Sequence, residues 1–289
     1  GARSGGDNGR ALGGDTVIIR NCLIGCAAGN GIALTGASNS WQVLECEVRG
    51  NAIGQGTRDG ISLEASGPAT VRGCRVESHD GSGLDARTGS GSLVLENNTV
   101  TGAGVGAGAG VETAGIRLGG NGNRVDRNVI ANHFGAGVLV VPTSGSNTLT
   151  RNSIFGNGAG LNGGGVGPSG QIGIDLLRAG EDEATGTFPF VTLNDAGDAD
   201  AGADGLLNFP VLETAVLSNG SFTLAGWARP GSTIEVFVAA ADPSGFGEGR
   251  TWVATFAEGS GTDLDGGSSA YSGAVNGVNQ GSDNTSRFR

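Results

Sequence analysis

The sequence predicts an all-β protein in which a stack of parallel coils is followed by a smaller antiparallel β-sandwich. Three observations support this fold class. Glycine makes up 59 of the 289 residues without a Gly-X-Y period, as expected for many tight turns between short strands rather than for collagen. A strand-like motif recurs six times between residues 18 and 154. A different pattern, first acidic and then alternating, begins after residue 177.

The recurring motif consists of an aliphatic residue, two variable residues, Cys or Asn, one variable residue and a second aliphatic residue. Successive copies are 24 to 30 residues apart, and a period of this length with short strands indicates coils that bury their apolar faces by stacking. The Cys or Asn position is occupied in turn by Cys22, Cys46, Cys74, Asn98, Asn128 and Asn152. We predict that these residues form an internal ladder, because stacked amides can pair and a thiol is small enough to fit the same column.

A second strand follows each motif and begins with glycine. The copies are "GIAL" (31–34), "GISL" (60–63), "GLDA" (83–86), "GIRL" (115–118), "GVLV" (137–140) and "GIDL" (173–176). The third residue of each copy should point away from the core, because its aliphatic neighbours point inward. These outward positions are Ala33, Ser62, Asp85, Arg117, Leu139 and Asp175.

This repeat resembles the right-handed parallel β-helix of secreted pectate-lyase-like proteins and bacterial surface proteins, over roughly residues 15–177. The resemblance implies a right-handed parallel β-helix of about six to seven coils across residues 1–177. A left-handed β-helix is the alternative, but it requires a strict hexapeptide period and the spacing here is irregular.

The four cysteines are Cys22, Cys26, Cys46 and Cys74. We predict buried, reduced thiols that serve in packing. Disulfides in an oxidising compartment are the alternative, although stacked side chains that point in parallel suit a bridge poorly. The spacing matches no common zinc-ligand pattern.

Residues 178–208 form an acidic junction whose centre reads "NDAGDADAGADG". Its carboxylates are Asp195, Asp198, Asp200 and Asp204. Alternation of Asp with Gly or Ala lets a tight loop aim several oxygens at one point, as Ca²⁺ requires. We therefore predict a structural calcium site, with a solvated acidic linker as the alternative.

The junction is similar to one found in large bacterial extracellular proteins, where a β-helix leads into an immunoglobulin-like domain. The matching stretches are "GIDLL" (173–177) and "NDAGDADAGADGLLNFPVL" (194–212). This resemblance implies an extracellular or cell-surface location and an immunoglobulin-like β-sandwich over residues 209–289. Because a sandwich normally has about seven strands and fewer are visible here, we expect a truncated domain, either part of a longer chain or completed by a neighbouring subunit.

A polysaccharide lyase would need carboxylates that hold Ca²⁺ and a basic residue, and Asp80, Asp85 and Arg117 could supply them. Asp85 and Arg117 should be neighbours on adjacent coils. The alternative for this pair is a surface ion pair that contributes well under ~1 kcal/mol. The "NTD…DD…GHG…RIK" set of polygalacturonases is absent, and His133 is expected to bond a turn carbonyl at a coil corner.

Two functions therefore stay open. The sequence favours a non-catalytic structural or adhesive module, such as a stalk, adhesin or fibre subunit. Its partners would be further copies, through head-to-tail or strand-addition assembly, or surface glycans. The alternative is a lyase, epimerase or hydrolase that acts on an acidic glycan. A net charge of −11 and the absence of lysine argue against a nucleic-acid partner. No apolar run approaches the roughly 20 residues of a membrane span.

Overall fold

A computed structural model describes residues 9–11, 16–37, 39–50, 58–86, 92–104, 113–160, 165, 167–196, 198–264, 267–275 and 278–289. Nearly all regular structure in these residues is β. Three parallel sheets wind around a common axis, and two antiparallel sheets follow them. The predicted fold class, a parallel β-helix with a separate antiparallel region, is confirmed.

Each coil contributes one strand to each parallel sheet. Sheet 1 contains β1 (Gly9–Ala11), β4 (Ile32–Ala37), β7 (Ile61–Ser66), β10 (Leu84–Ala86), β13 (Ile116–Leu118), β16 (Val138–Val140) and β19 (Ile174–Leu176). Sheet 2 contains β2 (Val17–Arg20), β5 (Trp41–Leu44), β8 (Ala69–Arg72), β11 (Leu93–Glu96), β14 (Arg124–Asp126) and β17 (Thr148–Thr150). Sheet 3 contains β3 (Leu23–Gly25), β6 (Glu47–Arg49), β9 (Arg75–His79), β12 (Thr99–Ala103), β15 (Val129–Ala131) and β18 (Ser153–Phe155). The stack therefore has six coils and the first strand of a seventh.

The core of the stack consists of aliphatic columns that run parallel to its axis. In sheet 1, for example, Leu84 pairs in register with Ile116, which pairs with Val138. All three are fully buried and belong to one continuous apolar cluster that extends from Ile32 to Ile154 and includes Ala203. Stacking thus gives each coil a core that a single coil could not close.

The repeated motif differs from the predicted single strand, because it forms two strands joined by a sharp corner. The residue before each Cys or Asn lies at positive φ, between 52° and 65°, and these residues are Asn21, Glu45, Gly73, Asn97, Arg127 and Arg151. The corner turns the chain from sheet 2 into sheet 3. Only one of the six is glycine, so residue type alone did not indicate the left-handed conformation that L-residues seldom adopt.

The Cys or Asn residue follows this corner residue and bonds to its counterparts in neighbouring coils. The Asn128 Oδ1 atom accepts hydrogen bonds from the backbone N and the Nδ2 of Asn98, both at 2.9 Å. The Asn128 Nδ2 group donates to the Leu95 carbonyl at 2.8 Å and to the Asn152 Oδ1 at 2.9 Å. Each buried amide therefore satisfies both a backbone donor and a backbone acceptor of the coil before it.

The cysteines occupy the same column with weaker bonds. The Cys74 Sγ lies 3.5 Å from the Val43 carbonyl and 3.5 Å from the Cys46 backbone N, which are the positions that an amide would contact. All four cysteines are free thiols. Cys46 and Cys74 are buried, whereas Cys22 is half-buried and Cys26 is exposed, so the prediction of burial is wrong for Cys26. Burial raises the pKa of the Cys74 thiol to about 11.

The C-terminal region contains two antiparallel sheets. The larger sheet has the order β20 (Val211–Ser218), β21 (Ser221–Ala228), β25 (Val278–Phe288) and β24 (Gly267–Val275), and the smaller pairs β22 (Thr233–Ala240) with β23 (Glu248–Ala257). A 3₁₀ turn at Ala203–Leu206 precedes them. Ala228, Ile234 and Phe288 form a small buried cluster there.

Candidate functional site

The outer face of sheet 1 carries the predicted outward column. Its members are neighbours in register from coil to coil: Ala33, Ser62, Asp85, Arg117, Leu139 and Asp175. Every one of them is buried. They face away from the aliphatic core as the alternation of a strand requires, but this face is not open to solvent.

The acidic junction covers the C-terminal part of this face. The Arg117 Nη2 group donates a hydrogen bond to the Glu183 carbonyl, and the Thr192 hydroxyl donates to the Leu176 carbonyl at 3.3 Å. Leu139 packs with Leu177 in a small apolar cluster separate from the main core. The chain after the last strand of sheet 1 therefore folds back across the outer column.

Asp85 and Arg117 form an ion pair with an Nη1–Oδ2 distance of 3.5 Å. The Arg117 side chain is 0% exposed and that of Asp85 is 9% exposed, so the predicted surface ion pair is wrong. The cause is the junction, which excludes solvent from the guanidinium. Removal of one partner of such a buried pair would leave an uncompensated charge, at a cost of about 3–5 kcal/mol. Asp80, the third residue of the catalytic alternative, is also fully buried.

Asp175 lies at the end of the same column. Its Oδ2 atom makes no hydrogen bond to any described group. Burial, and to a lesser extent the negative charge of Glu181, raises the pKa of the Asp175 carboxyl to about 8. A cavity of about 190 Å³ beside it is lined by Asp175, Arg178, Glu181, Thr187 and Phe190 among others. This volume is below that of typical ligand pockets.

A second ladder, which was not predicted from the sequence, lies at the corner between sheets 3 and 1. The His133 Nδ1 accepts a hydrogen bond from the Ala103 backbone N at 3.0 Å, and its Nε2 donates to the Val100 carbonyl at 3.0 Å. The Asn157 Oδ1 accepts from the His133 backbone N at 3.2 Å. The partner of His133 is thus a strand carbonyl, not the predicted turn carbonyl. Burial is the main reason that the pKa of His133 is lowered to about 3.

A signal for this ladder is present in the sequence. His79, Ala103, His133 and Asn157 each lie five residues after a member of the first ladder; Asn51 has the same spacing but lies outside the described residues. The second ladder also explains the glycine that begins each second strand, because its side chains occupy the space that a Cβ would need. A Cβ at Gly115 would lie 2.5 Å from the His133 Nε2, and one at Gly137 would lie 2.9 Å from the Asn157 Nδ2. No side chain fits there.

Three carboxylates cap the last complete coil, and we call Asp204, Glu235 and Glu248 the capping carboxylates. Asp204 accepts a hydrogen bond from the Asn147 backbone N at 2.8 Å. Glu235 accepts from the Arg151 backbone N at 2.8 Å, and Glu248 accepts from the Asn157 Nδ2 at 2.8 Å. Burial raises the pKa of Glu248. Asp204 and Glu248 continue the side-chain columns of Asn147 and Asn157. Glu235 instead takes the place of a strand carbonyl, because Arg127 N donates to the Thr150 carbonyl in the coil before. Coil-end donors are therefore satisfied by side chains from the junction and the β22–β23 hairpin.

The four junction aspartates do not converge on one point. Asp195 accepts from the Ala199 backbone N at 3.1 Å, and Asp200 pairs with Arg178 at 2.9 Å. Asp198 pairs with Arg229 and accepts from the Asn208 backbone N at 2.6 Å, whereas Asp204 is a capping carboxylate. In the described part of the chain, no group of three or more His, Cys, Asp or Glu residues is arranged to hold a metal ion. These residues as placed do not fit the predicted calcium site.

Comparison with known protein families agrees with the repeat and the three-sheet stack. The family described as a right-handed β-helix region matches residues 6–169, more than half of the 289 residues. The chain belongs to the right-handed β-helix family. Membership fixes the handedness of the coils and excludes the left-handed alternative. No curated protein matches this β-helix chain significantly. Among the residues described, none of the helices has the length and apolar character needed to cross a membrane.

Proposed function

We propose that the chain is a non-catalytic structural or adhesive module of a bacterial extracellular or cell-surface protein, such as a stalk, adhesin or fibre subunit. One observation carries the proposal: the outer column of sheet 1, where a catalytic set would need to meet substrate, is covered. Asp85, Arg117 and Asp175 all lie below 10% exposure. A glycan would have to displace the junction, including the Arg117 contact with Glu183, to reach them.

The use of buried polar groups supports the same function. Asn98 bonds to Asn128, and His133 bonds to Asn157. Because the two members of each pair lie on adjacent coils, these bonds hold the coils together. Both nitrogens of His133 are engaged, and its lowered pKa keeps it neutral, which leaves no free general base at this position. A stack of six coils would rise roughly 29 Å. Such a continuous core is suited to a rigid spacer.

The C-terminal region is the immunoglobulin-like part of the proposal. Its two sheets meet where the rings of Phe256 and Phe288 lie with centroids 5.5 Å apart, and these residues come from β23 and β25 in different sheets. Packing of sheet on sheet in this way is the basis of a β-sandwich. Together with the junction motif, it supports a small sandwich attached to the β-helix.

If copies of the chain assemble, we propose that they do so through surfaces other than the C-terminal end of the stack. A second copy that stacked there would have to displace the capping carboxylates from Asn147, Arg151 and Asn157. A cavity of about 400 Å³ lies at this end, lined by Ile154, Ile172, Phe209, Phe237 and Phe246 among others. Glu235 and Glu248 also line this cavity and bond to the coil, so it lies between two packed parts of the module.

The test is release of reducing ends from a panel of neutral and acidic polysaccharides, with calcium present. We expect no release by the wild type. Release that is lost in Arg117→Gln but kept in Arg49→Gln would overturn the proposal in favour of a carbohydrate-active enzyme, because Arg49 lies on sheet 3 and pairs with Glu47 away from the column. Melting curves of both variants establish whether each is folded.

A further inference from the structure

The outer face of sheet 2 carries a column of polar side chains whose arginine groups stay accessible. Arg72, Glu96, Asp126 and Thr150 are neighbours in register on successive coils. In contrast to the column on sheet 1, the arginines here are open to solvent, with Arg72 53% exposed. This is therefore a lateral surface that a ligand could reach without rearrangement.

Asp126 is the fixed centre of this surface. Its carboxylate is fully buried and contacts three guanidinium groups: Arg124 at 2.7 Å, Arg127 at 2.8 Å and Arg151 at 3.1 Å. The three arginines are 44%, 48% and 30% exposed, respectively. We call Arg72, Arg124, Arg127 and Arg151 the arginine cluster.

The fold sets the position of the arginines. Arg127 and Arg151 occupy the positive-φ corner position of adjacent coils, so their backbones lie roughly 4.8 Å apart. Two like charges at this spacing repel each other in the absence of a counter-charge. Asp126 lies beside both and holds their guanidinium groups together, while Arg124 approaches from two residues earlier on β14.

The cluster gathers four guanidinium groups on a chain that carries −11 overall. Three carboxylates lie among its four guanidinium groups. Glu96 pairs with Arg72 at 3.3 Å, Asp126 is described above, and Glu235 bonds to the Arg151 backbone N. Within these contacts the guanidinium groups outnumber the carboxylates by one, and Glu45 lies nearby, beside Gly73. Each guanidinium has five N–H donors, and Asp126 engages only one nitrogen of each of its three partners, so donors remain for a further acceptor.

We infer that the arginine cluster binds the carboxylate or sulfate groups of an acidic polysaccharide. Planar guanidinium groups bind oxyanions in a bidentate manner. The cluster runs over four coils, roughly 14 Å along the stack, on an open face that suits an extended polymer better than a small enclosed ligand. The inference goes beyond the proposed function, because it assigns a ligand class and a lateral site to the module.

The charge of the whole protein sets the conditions for a test. A net charge of −11 repels a polyanion at long range, but at about 0.15 M salt the screening length is only about 8 Å. Contacts at the cluster are shorter than this. Short oligosaccharides at physiological ionic strength therefore report on the cluster rather than on the field of the whole molecule.

The experiment measures binding of four fluorescent probes of similar length to the full chain by anisotropy. The probes are an oligogalacturonate, a sulfated oligosaccharide, a neutral oligosaccharide and a single-stranded oligonucleotide. The test variant is Arg127→Gln with Arg151→Gln, and the matched control is Arg49→Gln with Arg75→Gln. These control residues are arginines of sheet 3, 55% and 62% exposed, that pair with Glu47 and Glu77. Thermal melts establish that each protein is folded.

We expect at least one acidic oligosaccharide to bind, with affinity weakened about tenfold or more in the test variant and by less than about twofold in the control. The probe that binds tighter identifies carboxylate or sulfate as the preferred group. If the test variant does not fold, Arg127→Lys takes its place and should weaken binding several-fold, because it keeps the charge and loses the planar fork.

Three results would overturn the inference: no binding of either acidic oligosaccharide, equal weakening in test and control, or binding of the oligonucleotide as tight as that of the oligosaccharides. Reducing-end release is measured on the same samples. Binding without turnover supports both proposals, whereas turnover that is unchanged in the arginine variant contradicts only the proposed function.

Discussion

The β-helix and the C-terminal region are both built of short β-strands, but they are stabilised in different ways. In the stack, one apolar cluster runs from Ile32 to Ile154 and buried polar side chains bond from coil to coil. In the C-terminal region, β20 exposes seven of its eight residues, and Leu217 is 74% exposed. Parallel stacking places equivalent residues next to each other. A side chain that can bond to its own kind therefore forms an additional bond with each coil that repeats it. Antiparallel hairpins receive no such gain.

This comparison predicts that substitutions of buried polar residues in the stack cost more than substitutions of turn residues in the hairpins. The largest effect should come from Asn128→Ala. This substitution removes the amide oxygen that accepts from Asn98 and the amide nitrogen that donates to Leu95 and Asn152. We expect the free energy of unfolding to fall by about 3–5 kcal/mol, as measured by urea denaturation.

Two controls sharpen that prediction. Asn128→Cys should cost less than Asn128→Ala, because Cys74 contacts the same backbone positions in its own coil. Asn219→Ala, in the turn between β20 and β21, should cost about 1 kcal/mol, since only a positive-φ preference is lost. Equal losses for Asn128→Ala and Asn219→Ala would show that the ladder does not stabilise the stack.

The next effect concerns acid. His133 has a pKa of about 3 in the folded protein, whereas an unfolded histidine titrates near 6.5. Between these values the unfolded state binds more protons, so the free energy of unfolding falls as the pH drops, by up to about 1.4 kcal/mol per pH unit. His133→Asn, which imitates Asn157, should reduce this slope between pH 6.5 and 4.5. Parallel pH profiles for the two proteins would refute the assignment.

Asp175 should act in the opposite direction. Its pKa is raised to about 8 in the folded protein, so its stabilising effect is complete below the unfolded value near 3.9 and is lost as the pH rises through 8. At pH 7.5 the folded state therefore bears the cost of keeping a buried carboxyl group that would ionise freely in the unfolded chain. Asp175→Asn removes this cost, and we expect the variant to be about 1–3 kcal/mol more stable than the wild type at pH 7.5. Asp200→Asn, at an exposed ion pair, is the control and should lack this gain. A less stable Asp175→Asn at pH 7.5 would contradict the prediction.

The smallest effect separates direct contacts from calcium in the junction. Asp198 pairs with Arg229 and accepts from the Asn208 backbone N. Asp198→Ala should therefore lower stability by about 1–2 kcal/mol, equally with and without EDTA, in thermal or urea melts. Stabilisation of the wild type by calcium that disappears in this variant would instead support the calcium site predicted from the sequence.

The period of the fold could be predicted from the sequence because the ladder residues, from Cys22 to Asn152, occupy the same position of the repeated motif in every copy. The second ladder was missed because its members are of different types, as His133 and Ala103 illustrate. The burial of Arg117 could not be predicted from local pattern, since it depends on Glu183, 66 residues later. The hydrogen-bond and ion-pair partners of the junction aspartates could not be predicted for a related reason. Their partners, such as Asn147 and Arg229, lie in parts of the chain that spacing does not connect.

The capping carboxylates have a consequence for the size of the rod. The last coil of any parallel stack presents unpaired donors, and such an edge is a template on which further strands can add. Asp204, Glu235 and Glu248 accept hydrogen bonds from three such coil-end groups. These side chains end the hydrogen-bonded columns of the stack. Further strands would first have to displace these side chains, so we expect the C-terminal end of the stack to disfavour fibrous growth.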